Sequence, residues 1–161
     1  MDIGDGISLE WHDFAGLPAG LLYDVLRFRQ SIFVVEQSCA YPDLDGLDRC
    51  AHHLLLNADG ALAGYLRLVL HPDRHRVSIG RVAVGSPFRN QGFAGRLMTA
   101  ALSRCARDYP GLAVGLSAQT YLTRFYESLG FRAIGQPYDD YGILHIEMVL
   151  TRRLQGSRQP G

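Results

Sequence analysis

The sequence predicts an α+β fold built on one mixed sheet with helices on both faces. Three observations carry this. Seven runs have the length and apolar or β-branched character of strands. Three other stretches carry apolar residues at helical spacing. The order is uneven: hairpin-like neighbours come first, and a strand–helix–strand–helix–strand series follows. The chain has 161 residues, 47% of them hydrophobic, which is enough for one domain with a sizeable core.

In chain order, residues 7–11 form the first candidate strand. Pro18 suits the first position of a helix, where its missing N–H is no loss, and a helix over 18–31 puts Leu22, Val25, Leu26 and Arg29 on one stripe. Residues 32–35 are apolar and either prolong this helix or leave it. The stretch EQSCAYPDLDGLDRC reads as a loop rich in carboxylates. Residues 53–57 and 62–70 read as two strands around a turn at Ala58, Asp59 and Gly60, and Arg76–Val84 as a longer one after them. A helix over 92–109 carries Leu97, Ala101, Leu102 and Cys105 on one face and stops at Pro110 and Gly111. Residues 113–118 form a strand. A short helix over 121–129 spaces Leu122, Phe125, Tyr126 and Leu129 for one face, and Gly130 is placed to cap it in the left-handed conformation. Residues 131–134 and 143–150 complete a hairpin around 139–142. Nothing divides the chain, so residues 1–154 are expected to form one domain and 155–161 a polar tail.

Sixteen basic and sixteen acidic residues cancel, so neither nucleic acid nor an anionic membrane surface is expected as a partner. No apolar run approaches the ~18 residues of a membrane span, and the acidic start MDIGDGISLEWHDF is unlike a signal peptide. The cysteines Cys39, Cys50 and Cys105 are odd in number and widely spaced, as reduced thiols of a cytoplasmic protein would be.

The segment IGRVAVGSPFRNQGFAGRLM carries the densest chemistry. A β-branched run ends, and Arg89, Asn90, Gln91, Gly92, Phe93, Ala94 and Gly95 lead into a helix. A helix start leaves backbone N–H groups unpaired and carries partial positive charge, so it suits a phosphate. Close approach requires small side chains, which Gly92, Ala94 and Gly95 supply, and Arg89 adds a fixed charge with bidentate geometry. The alternative is a glycine turn that caps the helix and holds no ligand. Gly95 is followed by Arg96 and Leu97, so this is no P-loop, and seven residues separate Val84 from Gly92, so it is no dinucleotide fingerprint.

The pattern R-x-x-G-x-A at Arg89, Gly92 and Ala94, directly after RVAV, resembles the acyl-CoA pyrophosphate loop of the GNAT acetyltransferase superfamily, and LTRFYESLGF resembles its later helix and last sheet region. Together they cover residues 79–131. FVVEQSCAYPDLDGLD and GILHIEM extend the resemblance over nearly the whole chain, to the ElaA-type subfamily. The resemblance implies a single-domain GNAT-like fold, with a central, mostly antiparallel twisted sheet of about six to seven strands. It implies a splay between the strand before the loop and the strand after the long helix, with acetyl-CoA or coenzyme A as co-substrate and no metal. Backbone at Val82, Ala83 and Val84 would hold the pantetheine arm and acyl carbonyl, backbone from Asn90 to Gly95 would hold the pyrophosphate, and Gln119 and Phe125 would complete the wall. The acceptor would be a small-molecule or peptide amine, and the protein a monomer or homodimer.

Tyr126 matches the family tyrosine that protonates the leaving thiolate; a phenol of pKa near ~10 can do so. Otherwise it is one more aromatic on an apolar face. A primary amine of pKa ~10.4 is mostly charged at pH 7, so the site must take its proton. Two bases are candidates: Glu36, whose pKa burial would raise, and His145 in an apolar strand. Each also has a structural reading, Glu36 as an organiser of the acidic loop and His145 as a satisfied core histidine.

Asp43, Asp45 and Asp48 admit three readings: a mouth that attracts a cationic amine through Asp43 and Asp45, a calcium loop, or a turn whose Asp side chains bond their own backbone. The glycine order does not fit an EF-hand. Cys50, His52 and His53 lack a fourth zinc ligand, and adjacent histidines in a strand face opposite ways. The expected reaction is acetyl transfer from acetyl-CoA to a primary amine by direct attack in a ternary complex. The alternatives are an enzyme like the acyl-homoserine-lactone synthases, which RFRQSIFVVEQ…DLDGLD resembles although the chain lacks their tryptophan, and a non-catalytic acyl-CoA-binding module.

Overall fold

The computed structural model describes residues 6–151. The expected tail at 155–161 and the outer ends of the expected domain lie outside them. Seven strands form one sheet in the order β1-β2-β3-β4-β5-β7-β6. They are β1 (Ile7–Asp13), β2 (Ala51–Ala58), β3 (Ala61–His71), β4 (Arg76–Val84), β5 (Ala113–Gln119), β6 (Phe131–Asp140) and β7 (Ile143–Leu150). All neighbours are antiparallel except β4 and β5, which are parallel, so the sheet is mixed and mostly antiparallel as expected.

The helices α1 (Ala19–Gln30), α2 (Phe93–Asp108) and α3 (Thr123–Ser128) cover both faces. Val25 of α1 packs on Leu55 and Tyr65 on one face. On the other face, Phe93, Leu97, Met98, Ala101 and Cys105 of α2 and Tyr126 of α3 join Leu54, Leu56, Leu66 and Leu68 in the main core. β2 and β3 are therefore apolar on both faces, and their runs are near-continuous rather than alternating.

Two tight turns close as their sequences require. Asp59 and Gly60 both take positive φ (50° and 80°) in the loop between β2 and β3, and Tyr141 and Gly142 do the same (50° and 87°) between β6 and β7. Gly130 caps α3 at φ 98°, as expected.

Two boundaries, at Pro18 and at the end of β6, differ from the sequence reading, and the one it left open after α1 is decided. Pro18 is the cap before α1, with extended ψ of 149°, not its first helical residue. α1 runs on into a π-helical turn over Ser31–Glu36, which brings Phe33 and Glu36 to one wall of a cleft. β6 continues past Ile134 to Asp140 because a bulge, with Gly135 at φ 72°, inserts two extra residues between Ile134↔Glu147 and Tyr138↔His145. Pro137 is tolerated there because β6 is the sheet edge.

Candidate active site

β4 and β5 pair at only three positions, Arg76↔Ala113, Val77↔Val114 and Ser78↔Gly115, and then diverge. Beyond the last of these pairs, β4 bulges. Tyr65 faces Ala83 and Arg67 faces Gly80, so β4 has one residue more than β3 between them, and Arg81 takes a φ of +54°. The divergence opens a cleft of about 980 Å³, bounded by the β4 edge, the start of α2, α3, the start of β7 and the π-helical turn.

At the open end stands the N-terminus of α2. The first intrahelical bond runs from Arg96 N to the Gly92 carbonyl at 3.2 Å, so the N–H groups of Phe93, Ala94 and Gly95 precede it, and no side chain caps them. Gly92 needs to be glycine because its φ is +77°. Gly95 has no such need: a Cβ built there meets nothing within 4 Å, and Gly95 lines the cleft. Gly95 keeps open a space that the protein itself does not fill.

Val82, Ala83, Val84, Arg89, Asn90, Gly92, Phe93, Ala94, Gly95, Gln119 and Phe125 all line this cleft; Gln91 does not. Asn90 holds a left-handed φ of 62°. Arg89 differs from expectation. Its bidentate fork is taken by Glu36, with Nη2 to Oε2 at 2.7 Å and Nη1 to Oε1, and its Nε donates to the Val84 carbonyl at 3.0 Å. The Val84 carbonyl thus already accepts one bond from within the protein.

Glu36, Tyr126 and His145 line the same cleft. The expected raised pKa of Glu36 is corrected: the Arg89 hydrogen bonds hold its carboxyl below the ordinary value, against a small opposing effect of burial. Tyr126 is buried, edge-on to Phe125 (5.0 Å) and Phe131 (6.1 Å), and burial pushes its phenol up to about 12. Its hydroxyl has no hydrogen-bond partner among the described residues. His145 Nδ1 lies 2.9 Å from the Ile143 carbonyl. A carbonyl only accepts, so Nδ1 carries the proton of the neutral ring, and Nε2 keeps its lone pair. The ring stacks on Tyr138 at 6.0 Å.

Asp43 and Asp45 do not line the cleft, and the expectation of a cation-attracting mouth is corrected. Three arginines hold the acidic loop. Fully buried Arg29 donates Nε to Asp43 at 3.1 Å and Nη1 to Asp48 at 2.7 Å. Arg67 donates Nη1 to both Asp45 and Asp48 at 2.9 Å. Arg81 pairs with Asp43 through Nε at 2.8 Å and lies over the Tyr41 ring at 5.4 Å. Burial alone would raise the Asp45 pKa, but the Arg67 hydrogen bonds, the Leu47 N–H and the two guanidinium charges bring it down to about 2. The turn reading holds locally, since Asp45 accepts from its own neighbour Leu47 N at 3.0 Å. The network also explains why Arg81 stays in a strained conformation: the bulge turns its guanidinium onto the loop.

Sequence reasoning missed Arg67 and Arg81 as partners of this loop. The signal was there in part, since a charge inside YLRLVL, and Arg29 on the apolar stripe of α1, each require a buried partner. His52 and His53 face opposite ways, as expected. His52 meets Asp13 and Tyr109, and His53 meets Tyr65 and the Asp48 carbonyl. No group of three or more metal-type ligands occurs among the described residues.

Residues 33–152 match the Acetyltransferase (GNAT) domain family. The protein ElaA of Escherichia coli is 37% identical over 145 residues, which cover 87% of this chain and 95% of ElaA. Its crystal structure superposes with a TM-score of 0.85, over 90% of this chain and 99% of that one. An acyl-CoA N-acyltransferase from Pseudomonas aeruginosa gives 0.82 at 39% identity, with the same shares covered. A CoA-dependent acyl-homoserine lactone synthase gives 0.74 over 92% of this chain and 85% of its own, but at 19% identity it shares the fold alone. The matched span, the seven-stranded sheet and the cleft at its splay agree: the chain belongs to the GNAT acetyltransferase superfamily, in its ElaA-type group.

Proposed function

We propose that the protein moves an acetyl group from acetyl-CoA to a primary amine by direct attack within a ternary complex. The observation that carries this is the uncapped start of α2 at the open end of the β4–β5 splay, with Gly95 leaving empty the space before it. A pyrophosphate there meets the N–H groups of Phe93, Ala94 and Gly95 and the positive end of the helix. The arm then runs along the unpaired edge of β4 past Val82 and Ala83, where backbone groups can bond it as a strand would. Gln119 and Phe125 close the far wall.

The amine nitrogen attacks the thioester carbonyl carbon; the C–N bond forms, and the carbonyl π electrons move to oxygen. His145 Nε2 takes the amine proton, directly or through one water. The tetrahedral intermediate collapses, the C–S bond breaks, the thiolate takes the Tyr126 proton, and the proton held by His145 passes through solvent to restore the phenol. Burial keeps this phenol protonated at any working pH, and its unpartnered hydroxyl is free to aim at sulfur. His145 is the better base of the two candidates, because Glu36 is committed to Arg89. In this reading Glu36 positions the loop that holds the pyrophosphate. The chemistry calls for no metal. The free thiols of Cys39, Cys50 and Cys105 fit a reducing cytoplasm, and a monomer suffices because one chain supplies every group named.

The test is a thermal melt with acetyl-CoA, with ATP and NAD as controls. At a hundred times its Kd a ligand adds about 2.7 kcal/mol, and at roughly 2–4 °C per kcal/mol the shift is about 5–11 °C. A shift with acetyl-CoA alone supports the donor site. No shift up to millimolar acetyl-CoA removes the main support for the acyltransferase.

A further inference from the structure

The charges that line the cleft are compensated in pairs, with one carboxylate left over. Glu36 holds Arg89, and Arg81 is held by Asp43 and Asp45 behind it. Asp140 also lines the cleft, is exposed, and has no hydrogen-bond or ion-pair partner among the described residues. Its position is set by the hairpin. Asp140 pairs with Ile143 and Tyr138 with His145, so all four side chains share a face of β6 and β7. Asp140 is the diagonal neighbour of His145, about 7–8 Å away. The rings of Tyr41 and Tyr141, 5.9 Å apart, also line the cleft; Tyr41 carries the Arg81 guanidinium, and Tyr141 follows Asp140 in the chain.

We propose that the acceptor is a small diamine, held with one neutral amino group beside His145 and its second, protonated amino group on Asp140 beside the Tyr141 ring. This rests on the N-acyltransferase reading and adds the acceptor class to it. A second ammonium keeps its proton at neutral pH, and both a carboxylate and the face of a tyrosine attract it. The diagonal spacing of the two residues, about 7–8 Å along the backbone, is of the order of the nitrogen-to-nitrogen span of a short extended diamine. A monoamine engages only the His145 end, and an amino acid sets its carboxylate against Asp140.

The test compares 1,4-diaminobutane, 1-aminobutane and 4-aminobutanoate as acceptors, following CoA thiol release at saturating acetyl-CoA, with acetyl-CoA binding measured by melting in parallel. The expected order of kcat/KM is diamine, monoamine, amino acid, with about tenfold or more between the first two. Asp140→Asn brings the diamine-to-monoamine ratio towards one, and Asp140→Lys shifts preference to 4-aminobutanoate. Equal use of diamine and monoamine, or a ratio that Asp140→Asn leaves unchanged, overturns the proposal. Transfer to none of the three overturns it as well. In each case a retained acetyl-CoA melting shift leaves the donor site standing, and a lost shift takes the acyltransferase reading down too.

Discussion

Arg89 clasps Glu36 across 53 positions of sequence, with both terminal nitrogens on the carboxylate and Nε on the Val84 carbonyl. The clasp ties the π-helical turn after α1 to the end of β4, on either side of the cleft.

Both partners are about two-fifths exposed, so the pair contributes little to stability, about 1 kcal/mol or less. Glu36→Gln is expected to lower Tm by no more than about 4 °C at pH 7. The sign with pH follows from the lowered carboxyl. The contribution is complete above the ordinary value of 4.5 and is lost as pH falls through the folded-state value below it. Melts of the two proteins differ at pH 7 and converge in acid; a difference that grows in acid contradicts the pairing.

The arginine–aspartate network predicts a much larger effect. Asp48 accepts from both Arg29 and Arg67 and is nearly buried, so Asp48→Ala leaves two buried cations short of a partner. Such losses cost about 3–5 kcal/mol, or roughly 6–20 °C in Tm for a chain of this size. The network carboxyls Asp45 and Asp48 both titrate below their ordinary 3.8, Asp45 at about 2. Their stabilisation is present in full above 3.8 and is lost as pH falls through the folded-state values below it, about 2 for Asp45. Melting scans from pH 7 down to 2 check both the size and the window.

These two clusters also mark what the sequence could and could not reveal. The elements from β2 to α3 were legible because α2 and α3 follow the helical period and the strands are short apolar runs bounded by turn residues. The Asp59–Gly60 turn and the Gly130 cap were legible because each needs a particular backbone conformation. The glycine loop was legible for the same reason. The partners of the acidic loop were not, since Arg29, Arg67 and Arg81 lie 14 to 38 residues from Asp43 and Asp45, and no local pattern encodes the pairing. A run of aspartates therefore admitted a charged mouth among its readings when it is a neutralised strut with a local Asp turn. The length of β6 was hidden too, because Gly135 and Pro137 look like an end to a strand and are instead a bulge on a sheet edge.

Tyr126→Phe separates catalysis from packing. The hydroxyl has no partner to lose, so the variant melts within about 0.5 kcal/mol of the parent. Removing the acid lowers kcat by about 10²–10⁴-fold. With the phenol raised to about 12, the parent rate shows no alkaline fall from this group up to pH 10. An unchanged kcat in Tyr126→Phe assigns the tyrosine to the core alone.

Gly95→Ala gives the sharpest test, because stability and binding should move in opposite directions. A glycine inside the first turn of a helix costs about 0.5–1 kcal/mol relative to alanine. Nothing in the protein stands within 4 Å of the added Cβ, so the gain is not offset by a clash. The variant alone should therefore melt higher than the parent by roughly 1–4 °C. The same methyl group projects into the space before the unpaired N–H groups, where a pyrophosphate has to approach. Acetyl-CoA should then produce a smaller melting shift than in the parent, and Gly95→Leu a smaller one still. A glycine kept only as a helix cap predicts a higher Tm with an undiminished acetyl-CoA shift. A glycine kept for packing predicts a lower Tm. Only a site that an outside ligand must reach makes the free protein more stable and the liganded one less so.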